Sequence, residues 1–430
     1  MLFLRRRMDA LVSAYTELGR FSGAVLVARG ERVLFSKGYG LASHEHDVPN
    51  TPATAFRIGS QTKLFTAIAI LQLRERGRLR VHDPIGEHLP GYPRGDRITL
   101  HHLLTNTSGI PDYVTTEGFT RIMGTPRTRR QLIDDFKDRP PLFEPGERMS
   151  YSNSGWVLLG EVIERLSGLT YAQYLRRHVL TPLAMHRSGL DDGGHLVKGQ
   201  AGGYICADGR ITPTPHLDNS NQDAAGALHS TVEDLYRFDR GRHRLLPPGP
   251  LADLFTPHVE ADGTAYGYGC SVSPGRVESA GGTIGFVSIS ARYERDDLFV
   301  CVLSNFENAA FSAIERGLAA IARGEPYELP GARVFVPLDP AVLDRYVGRY
   351  SMRYAGRAST MDITREGERL MAEVHGLART ELRPMSESRF FARMKGEVEL
   401  DFQPSGDVAL TWAGREITAQ RADPGPAAGE

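Results

Sequence analysis

The stretch Phe56-Arg-Ile-Gly-Ser60-Gln-Thr-Lys63-Leu-Phe-Thr-Ala-Ile-Ala-Ile-Leu-Gln-Leu-Arg-Glu-Arg76 decides how the rest of the chain is read. After a polar loop, apolar residues recur at helical spacing from Ser60 to about Arg76. Gly77 and a later Asp83-Pro84 end the pattern. A serine therefore opens a long buried helix, where the helix dipole favours negative charge beside its hydroxyl. Lys63 lies three residues on and shares the serine's face. Its apolar neighbours Leu64, Phe65 and Ile68 would desolvate an ammonium and lower its pKa. A lysine of that kind can take a serine's proton and make the alcohol a nucleophile. By itself Ser-x-x-Lys is a weak signal, since a capping serine followed by a surface lysine accounts for it as well.

Working outward, residues 8–19 predict a helix that stops at Gly19, and Gly23–Ala28 with Arg32–Gly38 predict a hairpin around Gly30-Glu31. Residues 83–235 read mostly as helix and loop, with candidate helices at 97–105, 129–137, 153–166, 170–179 and 230–239. A second strand region starts near Tyr266. Ile284–Arg292 and Leu298–Ser304 form another hairpin, and a helix at about 311–323 closes this half. Strands at both ends with helices between imply an α/β domain whose terminal segments share a sheet, while 83–235 forms a second lobe. The cleft between two lobes is a usual place for a site.

Two further segments carry chemistry. Tyr151-Ser-Asn153 precedes a helix over Gly155–Leu166 and follows the turn Phe143-Glu-Pro-Gly. A tyrosine at such a corner can relay a proton to a leaving group. Asn153 can bond both a lysine and a substrate amide, although a helix entry capped by Ser152 or Asn153 explains the segment equally. Ser279-Ala-Gly281-Gly282-Thr-Ile-Gly285-Phe lies just before the second hairpin. Its glycines let a substrate backbone approach a strand edge, and the N–H groups of Gly282 and Ser60 are candidates for an oxyanion hole. The competing explanation is a flexible connection between strands.

Beyond the closing helix the texture changes. Residues 326–340, rich in Pro and Gly, read as a linker between a 1–325 domain and a 341–422 domain. Eight short strands at nearly even spacing, from Gly348–Arg353 to Arg415–Gln420, predict a small antiparallel barrel. The tail 423–430 reads as disordered.

Composition narrows the function. The 430 residues are 41% hydrophobic and 24% charged, with a formal net charge of −1, so no basic field points to nucleic acid. Only 5 of the 51 Lys+Arg are lysines, so a lysine at a motif position carries more weight. Three widely spaced cysteines (Cys206, Cys270, Cys301) fit neither a disulfide framework nor a zinc site, and Cys301 reads as a buried strand thiol. No stretch approaches a membrane span and the N-terminus lacks a secretory pattern, so a cytoplasmic location with no membrane partner is expected. His44-Glu-His46 lacks a third ligand, so no metal is expected there. His101-His102 reads as loop packing.

Together the segments resemble the serine β-lactamase and penicillin-binding-protein superfamily, including class C β-lactamases, DD-peptidases, D-stereospecific aminopeptidases and related esterases. The connecting text matches too: His102-Leu-Leu-Thr-Asn-Thr-Ser-Gly-Ile-Pro111, Pro182-Leu-Ala-Met185 and Ala225-Gly-Ala-Leu-His-Ser-Thr-Val-Glu-Asp234. The likeness spans about residues 8–323, and the C-terminal part resembles the lipocalin-like barrel appended to many such hydrolases. The resemblance implies a serine β-lactamase-like fold, an antiparallel sheet flanked by helices plus a helical lobe. It implies that Ser60 is acylated, that Lys63 and Tyr151 move its proton, and that Asn153, Ser279, Gly281 and Gly282 contact substrate, with no cofactor. The family usually has Lys or His where Ser279 stands. Its loss weakens the case for β-lactamase or carboxypeptidase activity, and His229 is a candidate replacement. Asn106 stands where a histidine is frequent and reads as structural. The expected function is a serine acyl-enzyme hydrolase of an ester, amide or peptide. Alternatives are a biosynthetic transacylase or peptide-cyclising thioesterase, and a non-catalytic binder or sensor.

Overall fold

The computed structural model describes residues 2–116, 118–207, 209–374, 379–412 and 415–422. Helix α1 (Leu2–Glu17) leads into strands β1 (Gly23–Arg29) and β2 (Arg32–Tyr39). A 3₁₀ turn over Gly59–Gln61 runs into α2 (Thr62–Glu75). The middle of the chain supplies α3 (Asn153–Ser167), the single turn α4 (Asp223–Gly226) and α5 (Val232–Gly241). Six strands follow: β3 (Val259–Ala261), β4 (Thr264–Tyr266), β5 (Ser271–Ser273), β6 (Arg276–Thr283), β7 (Phe286–Tyr293) and β8 (Leu298–Ser304). Helix α6 (Phe311–Arg323) closes the domain.

One antiparallel sheet takes the order β3-β4-β5-β6-β7-β8-β1-β2, so the two ends of the domain share it as the sequence implies. Its centre is covered on both faces. Along β8, Leu298, Val300 and Val302 pack with Met8 and Leu11 of α1 and Ile314 and Leu318 of α6. The alternate residues Phe299, Cys301 and Leu303 join the core of α2, α3 and α5. This period-two division of a continuous apolar run is what a strand buried on both faces produces. Cys301 is accordingly fully buried, and among the described residues none of the three cysteines is in a disulfide.

Several elements depart from expectation. The glycine-bearing segment 276–283 is a strand in its own right, and β3 to β5 extend the sheet beyond the predicted start at Tyr266. Strands of three residues are too short to show a period. The helical lobe also carries a three-stranded ribbon of Phe56–Arg57, Leu228–Ser230 and Gly189–Leu190. The candidate helix 170–179 is α-helical over Tyr171–Leu175 and then widens to a π turn over Arg176–Leu180.

No helix or strand occurs from 325 to 339. Beyond it, β9 (Gly348–Tyr354), β10 (Arg357–Glu366), β11 (Arg369–Val374), β12 (Thr380–Pro384), β13 (Arg389–Met394), β14 (Gly396–Phe402), β15 (Val408–Trp412) and β16 (Arg415–Arg421) form a closed antiparallel barrel. Inward residues such as Val398, Leu400 and Phe402 alternate with outward polar ones and fill its interior. The tail 423–430 lies outside the described residues. The barrel docks on the N-terminal domain through Arg20, which forks onto Glu397, and Arg393, which donates to the carbonyls of Gly19 (3.2 Å) and Cys206 (3.0 Å).

Candidate active site

Gly59, at φ +53°, turns the chain so that Ser60 stands in the 3₁₀ turn, one residue ahead of α2's cap. Only glycine adopts that φ without strain. The turn is pressed against β6: a Cβ on Gly281 would sit 2.0 Å from the Ile58 carbonyl oxygen and 2.8 Å from the Ser60 nitrogen. A glycine there is the steric condition for bringing a strand edge against the nucleophile.

Gly282 lies opposite Val287 and Thr283 opposite Phe286, which closes the two-residue turn Ile284-Gly285. In an antiparallel ladder inward and outward N–H groups alternate, so Gly282 directs its N–H away from β7, toward the nucleophile turn. A Cβ on Gly59 would meet that nitrogen at 2.9 Å, which places the Gly282 amide beside the serine.

Lys63 occupies the first turn of α2, on Ser60's face, and is 2% exposed. Its Nζ lies 3.0 Å from Ser60 Oγ and donates to Asn153 Oδ1 (2.8 Å) and the Ala225 carbonyl (2.7 Å). Burial, opposed by the charge of Asp112 and supported by that of Arg357, lowers its pKa to about 7. Near neutral pH a large share of Lys63 is therefore uncharged. Its two N–H groups then serve Asn153 and Ala225, and its lone pair faces Ser60.

Tyr151 OH lies 2.6 Å from Ser60 Oγ. Burial raises the phenol well above its ordinary pKa, so Tyr151 is protonated and acts as a donor rather than a base. The segment bearing it is stitched down by Asn106, whose side-chain oxygen accepts from Ser152 N (3.3 Å) and Trp156 Nε1 (3.1 Å). Asn106 is structural, as the sequence suggests. Ser152 occupies the cap position of α3 without a capping side-chain bond, and Asn153 turns inward to Lys63.

Ser60, Lys63, Tyr151, Asn153, Gly281 and Gly282 thus converge. Ser279 shares Gly281's face of β6 and is buried, and its Oγ has no hydrogen-bond partner among the described residues. His229 does not replace the missing cation. It lies in the small ribbon, with its Cε1 3.1 Å from the position of a Cβ on Gly189, and burial lowers its pKa to about 4, so the ring is neutral. Lys395 of the barrel comes near Gly282, its Cδ 3.9 Å from a Cβ there, but on the face of β6 opposite Ser279. Of the other histidines singled out, His44, His101 and His102 pack, while His46 is exposed. His44 stacks on Phe306, and His101 bonds Tyr268 (2.8 Å) while His102 caps its own helix turn at Thr99.

Sequence reasoning missed two residues. Asp112 accepts from Asn153 Nδ2 at 3.1 and 3.3 Å, and Arg357 of the barrel pairs with it at 2.9 Å. Asp112 directly follows the quoted loop ending at Pro111, so its position was available. Nothing local marks Arg357, which lies over two hundred residues away in another domain.

A buried lysine and a partly buried tyrosine meeting one serine at the seam of a sheet and a helical lobe define a site of the serine-hydrolase type. The chain belongs to the beta-lactamase family, whose model matches residues 8–324. Penicillin-binding protein 4* of Bacillus subtilis (strain 168) is 30% identical over 442 residues, covering 95% of this chain and 96% of the relative. The octameric penicillin-binding protein homologue from Pyrococcus abyssi superposes with a TM-score of 0.68 at 26% identity, covering 96% of this chain and 99% of that one. A D-stereospecific amidohydrolase from Streptomyces sp. gives a TM-score of 0.61 at 25% identity over 74% of this chain and 98% of its own.

Proposed function

We propose that the protein hydrolyses an ester, amide or peptide through an acyl-enzyme on Ser60. One observation carries this reading: Ser60 Oγ stands between a lysine at 3.0 Å whose pKa is lowered to about 7 and a protonated tyrosine at 2.6 Å. Neutral Lys63 takes the hydroxyl proton as Oγ attacks the substrate carbonyl. The amides of Ser60 and Gly282 receive the developing oxyanion. Tyr151 then donates its proton to the leaving alcohol or amine and regains one from Lys63. Water attacks the acyl-enzyme in the reverse sense and releases the acid. Asn153, between Lys63 and Asp112, is placed to hold the acyl portion. The serine at position 279 favours substrates without a carboxylate beside the scissile bond, and the relative that is a D-stereospecific amidohydrolase supports amides among them.

A second reading, acyl transfer to an amine or alcohol, is favoured by the barrel turn that covers Tyr151. The Ala355 carbonyl accepts the Tyr151 N–H at 3.1 Å, which sets the barrel beside the site as a candidate roof against water. Intact mass after fluorophosphonate treatment, with the modified peptide mapped, tests the common step. A single adduct on Ser60, absent in Ser60→Ala and in Lys63→Ala, is expected. No adduct on the folded protein would refute both readings and leave a binding protein. Product analysis with a p-nitrophenyl ester and added amine then separates hydrolysis from transfer.

A further inference from the structure

The turn joining β9 and β10 reaches out of the barrel and into the catalytic half. Its Ala355 carbonyl holds Tyr151 N, and its Gly356 N–H donates to Asp262 at 2.7 Å. Next in the chain, Arg357 pairs with Asp112 at 2.9 Å. Asp112 is almost sealed, its side chain 3% exposed, while Arg357 keeps 27%. From there a continuous chain of polar contacts runs inward: Asp112 accepts from Asn153, Asn153 accepts from Lys63, and Lys63 touches Ser60.

We infer that Arg357 is a positioning residue of the catalytic centre, supplied by the barrel, which neutralises Asp112 so that Lys63 can serve as the base. This rests on the acyl-enzyme reading above. The physical argument is one of charge placement. A buried carboxylate without a counter-ion is costly and draws the nearest cation to itself. A second cation, Lys63, is linked to Asp112 through Asn153. With Arg357 absent, Asp112 would favour the ammonium form of Lys63, which has no lone pair for the serine proton. With Arg357 present, the carboxylate is satisfied from outside and Lys63 is left to its apolar surroundings. The same carboxylate still orients Asn153, whose amide NH₂ points at it and whose oxygen points at Lys63.

No other charge competes for this role on the elements that pack there, among the described residues. On the α3 side Lys63 meets Tyr151 and the Trp156 ring. Behind Tyr151 stands Tyr354, a neutral phenol stacked on Trp412. On the α4 side Lys63 meets the Ala225 carbonyl, while Asp223 turns to Arg129 at 2.5 and 2.8 Å. The loop that packs on the backbone of Lys63 turns Tyr268 toward His101. The barrel is thus more than a lid: one of its side chains sets the protonation state of a base it does not touch.

The test is the pH profile of fluorophosphonate acylation of the full chain, for wild type, Arg357→Gln, Arg357→Lys and the double variant Arg357→Gln with Asp112→Asn. In Arg357→Gln the acid limb moves to higher pH. The rate falls roughly tenfold near pH 6.5 and recovers toward wild type near pH 9, as a shift of about one pKa unit from one unscreened charge requires. Arg357→Lys retains the wild-type limb. Asp112→Asn in the Arg357→Gln background returns the limb toward wild type, because the charge to be neutralised is gone. A loss of equal size at every pH, or an unmoved limb, overturns the inference, since a turn that merely braces Tyr151 produces one of these. Failure of wild type to label at Ser60 is a different result, and it would refute the acyl-enzyme reading itself.

Discussion

If Lys63 is the base, its titration governs how fast wild-type Ser60 is acylated, and the structure sets where. The reactive form is the neutral amine, so the rate is lost as pH falls through the lysine's pKa and is fully present above it. With that pKa lowered to about 7 by burial, about one molecule in eleven is competent at pH 6 and about ten in eleven at pH 8. The second-order rate constant for a fluorophosphonate therefore rises about tenfold over that interval and then levels off. A lysine near its ordinary value of about 10.4 would give about a hundredfold rise over the same interval and no plateau before pH 9. The assay is intact mass against time between about pH 5.5 and 9, with far-UV circular dichroism confirming the fold at each pH. A rate still climbing tenfold per unit beyond pH 8 refutes the lowered lysine. A rate flat from pH 6 to 8, in a protein that labels on Ser60, refutes Lys63 as the base.

Four other outcomes are expected. Gly281→Ala drives a methyl into the Ile58 carbonyl and the Ser60 amide. It should cost on the order of a hundredfold in fluorophosphonate labelling, the penalty of an ångström-scale misplacement, while circular dichroism still reports a folded chain. Arg129→Ala strands the buried Asp223, which heads the turn carrying the Ala225 carbonyl that Lys63 uses. It should cost about 3–5 kcal/mol and lower Tm by several degrees in a thermal-shift assay. Nitrocefin turnover should be far slower than p-nitrophenyl ester turnover, since Ser279 offers no cation for the lactam's carboxylate; comparable kcat/KM values would overturn that reading. Ellman's reagent should leave the native protein unmodified and react with three thiols after denaturation, because burial pushes Cys270 and Cys301 up to about 12 and Cys206 is also buried.

Much of this was legible in the sequence because it is written locally. The eight barrel strands fall within a few residues of their predicted limits, since most of them alternate and turn residues bound them. Ser60 lies in the 3₁₀ turn that runs into α2 and Lys63 in the first turn of α2, so three-residue spacing still places them on one face. Three things could not be read in that way. Strands β3 to β5 have three residues each and carry no period. The Ala225 partner of Lys63 is a backbone carbonyl, invisible to any argument from residue type. Arg357 reaches the site through tertiary packing between two domains. The proposal for His229 failed for a physical reason: it sits in a ribbon of two- and three-residue strands whose burial keeps its ring uncharged.

The order of the main sheet also bears on how the molecule comes into being. Strand β1 is apolar on both faces, and its long edge partner is β8, about 275 residues later in the chain. During synthesis the N-terminal hairpin must wait for that partner. At the usual pace of a ribosome the delay is roughly 15 to 55 seconds. Throughout it, a seven-residue apolar strand presents an unpaired edge, the kind of surface that chaperones hold and that aggregates when they do not. Production of this protein should therefore be sensitive to chaperone supply and translation rate, even though the finished sheet leaves β1 sealed between its neighbours.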